Sequence, residues 1–224
     1  MGFNILNVVS NEGSLVDIEA GIQGNIFIKD IDLEKRTNRS TGEQINRNTY
    51  VTLVQLDDAG EEVAQRTINW GDVDPTKNYA YNVYCRNVAQ MVSILECFYT
   101  KEEVRANFNI FKGYEDTVLS SDLTPIISDR MESDKLTDQL GIEFKKLLEP
   151  FFGNKEHLMK IVLVFDDRGQ NVNLSSSVAI AERNEVKPED SILKLTKREN
   201  DGFKKAEEFK ATMLKEQGIE ETNF

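Results

Sequence analysis

Four cations crowd one polar run of an otherwise acidic chain. Lys35, Arg36, Arg39 and Arg47 lie in Lys35-Arg36-Thr37-Asn38-Arg39-Ser40-Thr41-Gly42-Glu43-Gln44-Ile45-Asn46-Arg47, against the single carboxylate of Glu43, while the whole chain carries a formal net charge of -12. A local reversal of sign suits an anionic ligand. Single-stranded nucleic acid is held by cations that track its phosphates and by aromatic rings on which bases stack, at about 1–3 kcal/mol per base. Rings stand close by in the sequence: Tyr50, Trp70, Tyr79 and Tyr81, with Arg66 alternating in step with Trp70. Arg168, Lys160 and Arg183 form a second basic group around a later hairpin. Taken singly, a basic loop is a solvated loop and a Trp or Tyr is a core residue; their grouping raises the binding reading.

Catalytic chemistry has little to work with. His157 is the only histidine, no Ser sits in a Gly-x-Ser-x-Gly elbow, and no Cys-x-x-Cys is present. No Walker loop or dinucleotide fingerprint occurs, because Gly21 and Gly24 are wrongly spaced and open no helix. Asp57-Asp58 and Asp166-Asp167 pair carboxylates as metal-dependent nucleases do, but each sits beside Gly at a predicted hairpin tip, where turn geometry favours Asp. Glu143-Phe144-Lys145 has a nuclease-like spacing and falls in a predicted helix. The expectation is no enzyme, no metal and no cofactor.

The elements that must position the cations follow from periodicity. Residues 18–34 form a long strand interrupted by Gly21 and Gly24, which signal a bend. Residues 48–57 and 62–70 alternate as a hairpin closed at Asp57-Asp58-Ala59-Gly60-Glu61. A helix over 78–99 is marked by Tyr84, Val88, Met91, Leu95 and Phe98. Residues 100–135 are irregular with room for one short helix, and a second helix spans about 133–152 on Leu136, Leu140, Phe144, Leu147 and Phe151. The apolar run 158–165 predicts a central strand; 172–182 returns from it, and 192–195 suits a last short strand. Residues 201–217 predict a third helix on Phe203, Ala206, Phe209 and Met213.

Composition agrees with a folded chain: 39% hydrophobic and 29% charged residues over 224 positions allow a real core. No apolar run approaches the roughly 18 residues of a membrane span, and the N-terminus lacks a signal-peptide pattern, so a cytoplasmic location is expected. Cys85 and Cys97 stand twelve residues apart on one predicted helix, about 18 Å along its axis, too far for a disulfide.

Three strands, a helix and two strands is the element order of the OB-fold, whose second and third strands and flanking loops bind oligonucleotides. On that order and its basic loop, the chain resembles the OB-fold single-stranded DNA-binding proteins of bacteriophages. The resemblance implies an α+β, mainly β domain at 18–199: a five-stranded barrel with an enlarged helical insertion (about 100–153) between strands 3 and 4. A 1–17 N-terminal arm precedes it, and a C-terminal helix with a short acidic tail (200–224) follows. It also implies a tail function, since several such proteins end in an acidic peptide with a terminal Phe that recruits replication or recombination proteins. Here Glu220 and Glu221 precede Phe224. The implied function is non-catalytic binding of single-stranded DNA in phage DNA replication or recombination. The alternative class is a structural or assembly protein, virion-associated, acting through protein contacts. Oligomeric state and DNA-versus-RNA preference are left open.

Overall fold

The computed structural model describes residues 15–37, 44–71, 79–108, 136–166 and 168–216, with side chains at all of these except 35–37, 44–47, 80–81, 136–139 and 214–216. Strands β1 (Val16–Asp17), β2 (Gly21–Thr37), β3 (Gln44–Leu56) and β4 (Glu62–Trp70) come first. Helices α1 (Ala80–Leu95), α2 (Lys101–Asn107) and α3 (Leu136–Leu148) follow, the last running into a 3-10 turn at Glu149–Phe151. Then come β5 (Met159–Phe165), β6 (Val172–Leu174), β7 (Ala181–Arg183) and α4 (Lys197–Glu216). Among the described residues this is an α+β protein, mainly β: a seven-stranded open mixed sheet ordered β1-β4-β3-β2-β5-β6, with β7 also on β5.

β2 is long because it serves two ladders. Its first residues pair antiparallel with β5, from Gly21–Leu163 to Ile26–Met159. From Ile26 to Thr37 it pairs with β3. The change of partner needs a bend, and the chain makes it at Gly24-Asn25. Asn25 has a φ of 55°, a left-handed conformation that Asn tolerates better than most residues. Asn184 braces it, accepting from the Asn25 backbone N–H at 2.8 Å and donating its amide to Asn25 Oδ1 at 2.9 Å.

Alternation decides what each face of β2–β4 buries. Register aligns Ile31–Val51–Ile68 and Ile28–Leu53 on one face, and these join the main core with Tyr84, Val88, Met91 and Leu95 of α1 and Leu140, Phe144 and Leu148 of α3. Of the predicted stripes, Tyr84, Val88, Met91, Leu95, Leu140 and Phe144 are buried, and Phe98, Leu147 and Phe151 pack half-buried against the same core, whereas Phe203, Ala206, Phe209 and Met213 of α4 are half-buried. The opposite face carries Asp30, Asp32 and Glu34 on β2, Tyr50 and Thr52 on β3, and Gln65, Thr67 and Asn69 on β4. Farther along that side, Phe27, Val54 and Leu56 form a small separate cluster.

Several boundaries differ from expectation. The return from β5 comprises two short strands, β6 and β7, within the expected span but for Arg183. Residues 192–195 form no strand; Leu193 instead covers Val162 and Val164 on the outer side of β5. α4 begins four residues early because Thr196 and Glu199 make a capping box: the Thr196 N–H donates to Glu199 Oε2 at 2.7 Å and the Glu199 N–H to Thr196 Oγ1 at 3.3 Å. The sheet does not close into a five-stranded barrel by backbone pairing. Among the described residues β4 and β6 share no ladder and are linked through side chains: Arg66 of β4 donates to the Val172 carbonyl at 3.3 Å, and Gln90 of α1 ties Trp70 to the Ser175 carbonyl.

Candidate nucleic-acid interface

The basic run becomes the outer end of the β2–β3 hairpin. Its ladder continues to Thr37–Gln44, placing Lys35 opposite Arg47 and Arg36 opposite Asn46. Three of the four cations thus occupy neighbouring ladder positions, two of them at the same register. Arg39 lies outside the described residues, as do Glu220, Glu221 and Phe224.

Tyr50 belongs to the polar sheet face, between Asp32 and Asn69 in register. Its hydroxyl donates to Glu34 Oε2 at 2.9 Å and accepts from the Asn48 amide at 3.2 Å. The ring is half-buried. Asp32 and Glu34 beside it are exposed, so this face is anionic.

Trp70 is not a stacking platform. It stands at register with Thr49 on the core face, 5% exposed. Its ring meets Phe144 edge-on at 5.7 Å and its Nε1–H donates to Gln90 Oε1 at 2.9 Å. Tyr79, by contrast, is 55% exposed just before α1. Tyr81 sits in the first turn of α1, with its side chain outside the described set.

Three predicted cations are engaged within the fold. Arg66 donates to the carbonyls of Ile18 (3.1 Å) and Val172 (3.3 Å) and lies 3.9 Å from Asp17. Lys160 pairs with Glu182 at 3.5 Å and donates to the Val186 carbonyl. Arg183 donates to the Glu96 and Tyr99 carbonyls at the C-terminal end of α1, where a cation suits the helix dipole. Arg168 is exposed at the β5–β6 tip. The first member of each acidic pair builds its turn: Asp57 Oδ1 accepts from the N–H groups of Ala59 and Glu61, and Asp166 Oδ1 from those of Arg168 and Gln170. Asp167 is outside the described residues.

Sequence reasoning missed one feature. A cleft of about 400 Å³ opens between β4, β6 and α1, lined by Thr67 to Gly71, Val172 to Ser176, and Val83, Arg86, Asn87 and Gln90. The four α1 residues recur at helical spacing and so share a face. That spacing was visible, but its polar members interrupt a stripe otherwise marked by apolar residues. No family model, curated protein or solved structure matches the chain. Among the described residues no helix is long and apolar enough to cross a membrane.

Proposed function

We propose that the chain is a non-catalytic single-stranded DNA-binding protein, OB-fold-like in design, that serves DNA replication or recombination in the cytoplasm. The observation that carries this reading is the register of the arm. Lys35 and Arg47 are direct ladder partners with Arg36 one position on. Like charges directly opposite each other destabilise a β ladder, where favourable pairs contribute roughly 0.2–1 kcal/mol. A phosphate between them removes the repulsion and turns it into attraction. Strand order supports the same reading: β4-β3-β2-β5-β6 is compatible with a partly open Greek-key barrel.

The mechanism is weighted towards phosphate neutralisation. With Trp70 in the core, stacking falls to Tyr50 and Tyr79. Phe224, with Glu220 and Glu221, is the proposed contact for a replication or recombination partner. The test is anisotropy of labelled oligo-dT at several salt concentrations, with Arg36, Arg39 and Arg47 each changed to Glu. Loss of three phosphate contacts lowers the log–log salt slope by about 2, at roughly 0.7 per contact on a single strand, and weakens binding at least tenfold. An unchanged affinity and slope would eliminate the arm as the binding surface.

One observation favours the assembly reading instead. Asp30, Asp32 and Glu34 share a face that suits a basic protein surface better than a nucleic acid. Indifference to oligonucleotides, combined with a defined oligomer in light scattering, would select it.

A further inference from the structure

β4 and β6 face one another across the cleft without pairing among the described residues. Among the described residues β4 pairs with β1 only at Ala64 and Gln65, so nothing pairs with the same edge from Thr67 to Trp70. β6 pairs only with β5 among the described residues. The Asn171 carbonyl accepts from Asp166 in the turn, and the Val172 carbonyl accepts from Arg66 across the gap. Alternation along an antiparallel strand then turns the backbone groups of Asn173 towards β5 and those of Val172 and Leu174 away from it, towards β4. Consecutive residues of both strands line the cleft, which makes it a slot between two edges. Arg66 and the Trp70–Gln90–Ser175 link span its two ends.

We propose that this slot accepts an extended acidic peptide, which enters as an additional strand between β4 and β6. The site is separate from the arm and independent of the nucleic-acid reading. Open edges present donors and acceptors in alternation, and a peptide backbone supplies both. A phosphodiester chain supplies acceptors only and leaves the edge carbonyls unmet. β4 and β6 run the same way, each being an even number of antiparallel steps from the other. One inserted strand therefore bears the same relation to both and can pair with each in a single sense. Four residues of edge, Thr67 to Trp70, span about 13 Å at ~3.4 Å per residue.

Two side chains of α1 specify the occupant. Arg86 is the one charged residue lining the slot, and no ion pair engages it among the described residues; it selects a carboxylate. Asn87 is 5% exposed and lines the slot, and among the described residues nothing hydrogen-bonds its amide. The amide thus reaches the open cleft, where a peptide group can hydrogen-bond it.

The probe is the capped peptide Thr-Val-Glu-Val-Thr, followed by anisotropy when labelled and by the emission of Trp70 when unlabelled. Saturable binding is expected, with a shift in Trp70 emission. Arg86→Ala weakens it at least fivefold. Arg86→Glu abolishes it and restores binding of the peptide with Lys in place of Glu. Asn87→Ala weakens binding while leaving the melting temperature unchanged or raised, which a purely structural asparagine would not do. Equal binding of a peptide N-methylated along its backbone overturns the proposal, as does an affinity indifferent to Arg86. Displacement of the peptide by oligo-dT with the same Arg86 dependence also overturns it and assigns the slot to nucleic acid.

Discussion

At the scale of single residues, charge type was legible and charge use was not. Arg66, Lys160 and Arg183 look like Arg86 in sequence; only their surroundings separate a cation that ties strands together from one facing an open cleft. Trp70 shows the same limit, because a ring on the core side of β4 differs from one on the other side by a single step of register. Glu199 is the opposite case, a surface-looking carboxylate with a structural task. It caps α4 through Thr196 and accepts from Ser175 Oγ at 2.6 Å and the Ser176 N–H at 3.1 Å. Burial pushes its carboxyl up, but the hydrogen bonds from Ser175, Thr196 and Ser176 outweigh this and hold it below the ordinary glutamate value. Its contribution is therefore complete above the unfolded pKa of about 4.3 and is lost as pH falls through the lower folded value. Glu199→Ala is expected to cost about 2 kcal/mol at pH 7, and urea titrations should show the difference from the parent shrinking below pH 4.

At the scale of elements, periodicity carried most of the information. The hairpin β3–β4, the central strand β5 and the apolar faces of α1 and α3 follow from alternation and helical spacing. What escaped was local chemistry that competes with them: Thr196-x-x-Glu199 starts α4 before its apolar stripe begins, and Leu193 is buried without forming a strand. The placement of α3 depends on Gly141. A Cβ there would stand 2.4 Å from Thr49 Oγ1 and 3.1 Å from Leu33 Cδ2, so the helix sits directly on the sheet. Ala is the better helix former by about 1 kcal/mol, yet the overlap outweighs that gain. Gly141→Ala is expected to destabilise by about 1–3 kcal/mol. Adding Thr49→Ala should recover part of the loss, and the coupling is measurable in a double-mutant cycle. Gly169 plays a similar part for α4: with a φ of +69°, it lies where a Cβ would come within 2.6 Å of the Ala206 backbone, so the β5–β6 tip and the helix interlock.

At the scale of the whole molecule, the mainly β character and the element order could be anticipated, whereas closure could not. Whether a rolled sheet zips its last edge depends on distances between strands far apart in sequence, which no local pattern records. The global charge has its own consequence. At -12, self-repulsion opposes compactness and salt relieves it. Melting temperature should rise by a few degrees between 20 and 200 mM NaCl, while affinity for oligo-dT falls over the same range. Calorimetry and anisotropy on one preparation would expose the opposite signs.

The double duty of β2 sets a timetable for biosynthesis. Its later half can zip to β3 as soon as that hairpin leaves the ribosome, but its first residues wait for β5, more than a hundred positions downstream. At ~5–20 residues per second, the Gly21–Ile26 segment stays without its neighbour for roughly ten seconds. A nascent chain stalled before Met159 should therefore recruit chaperones that the completed polypeptide releases.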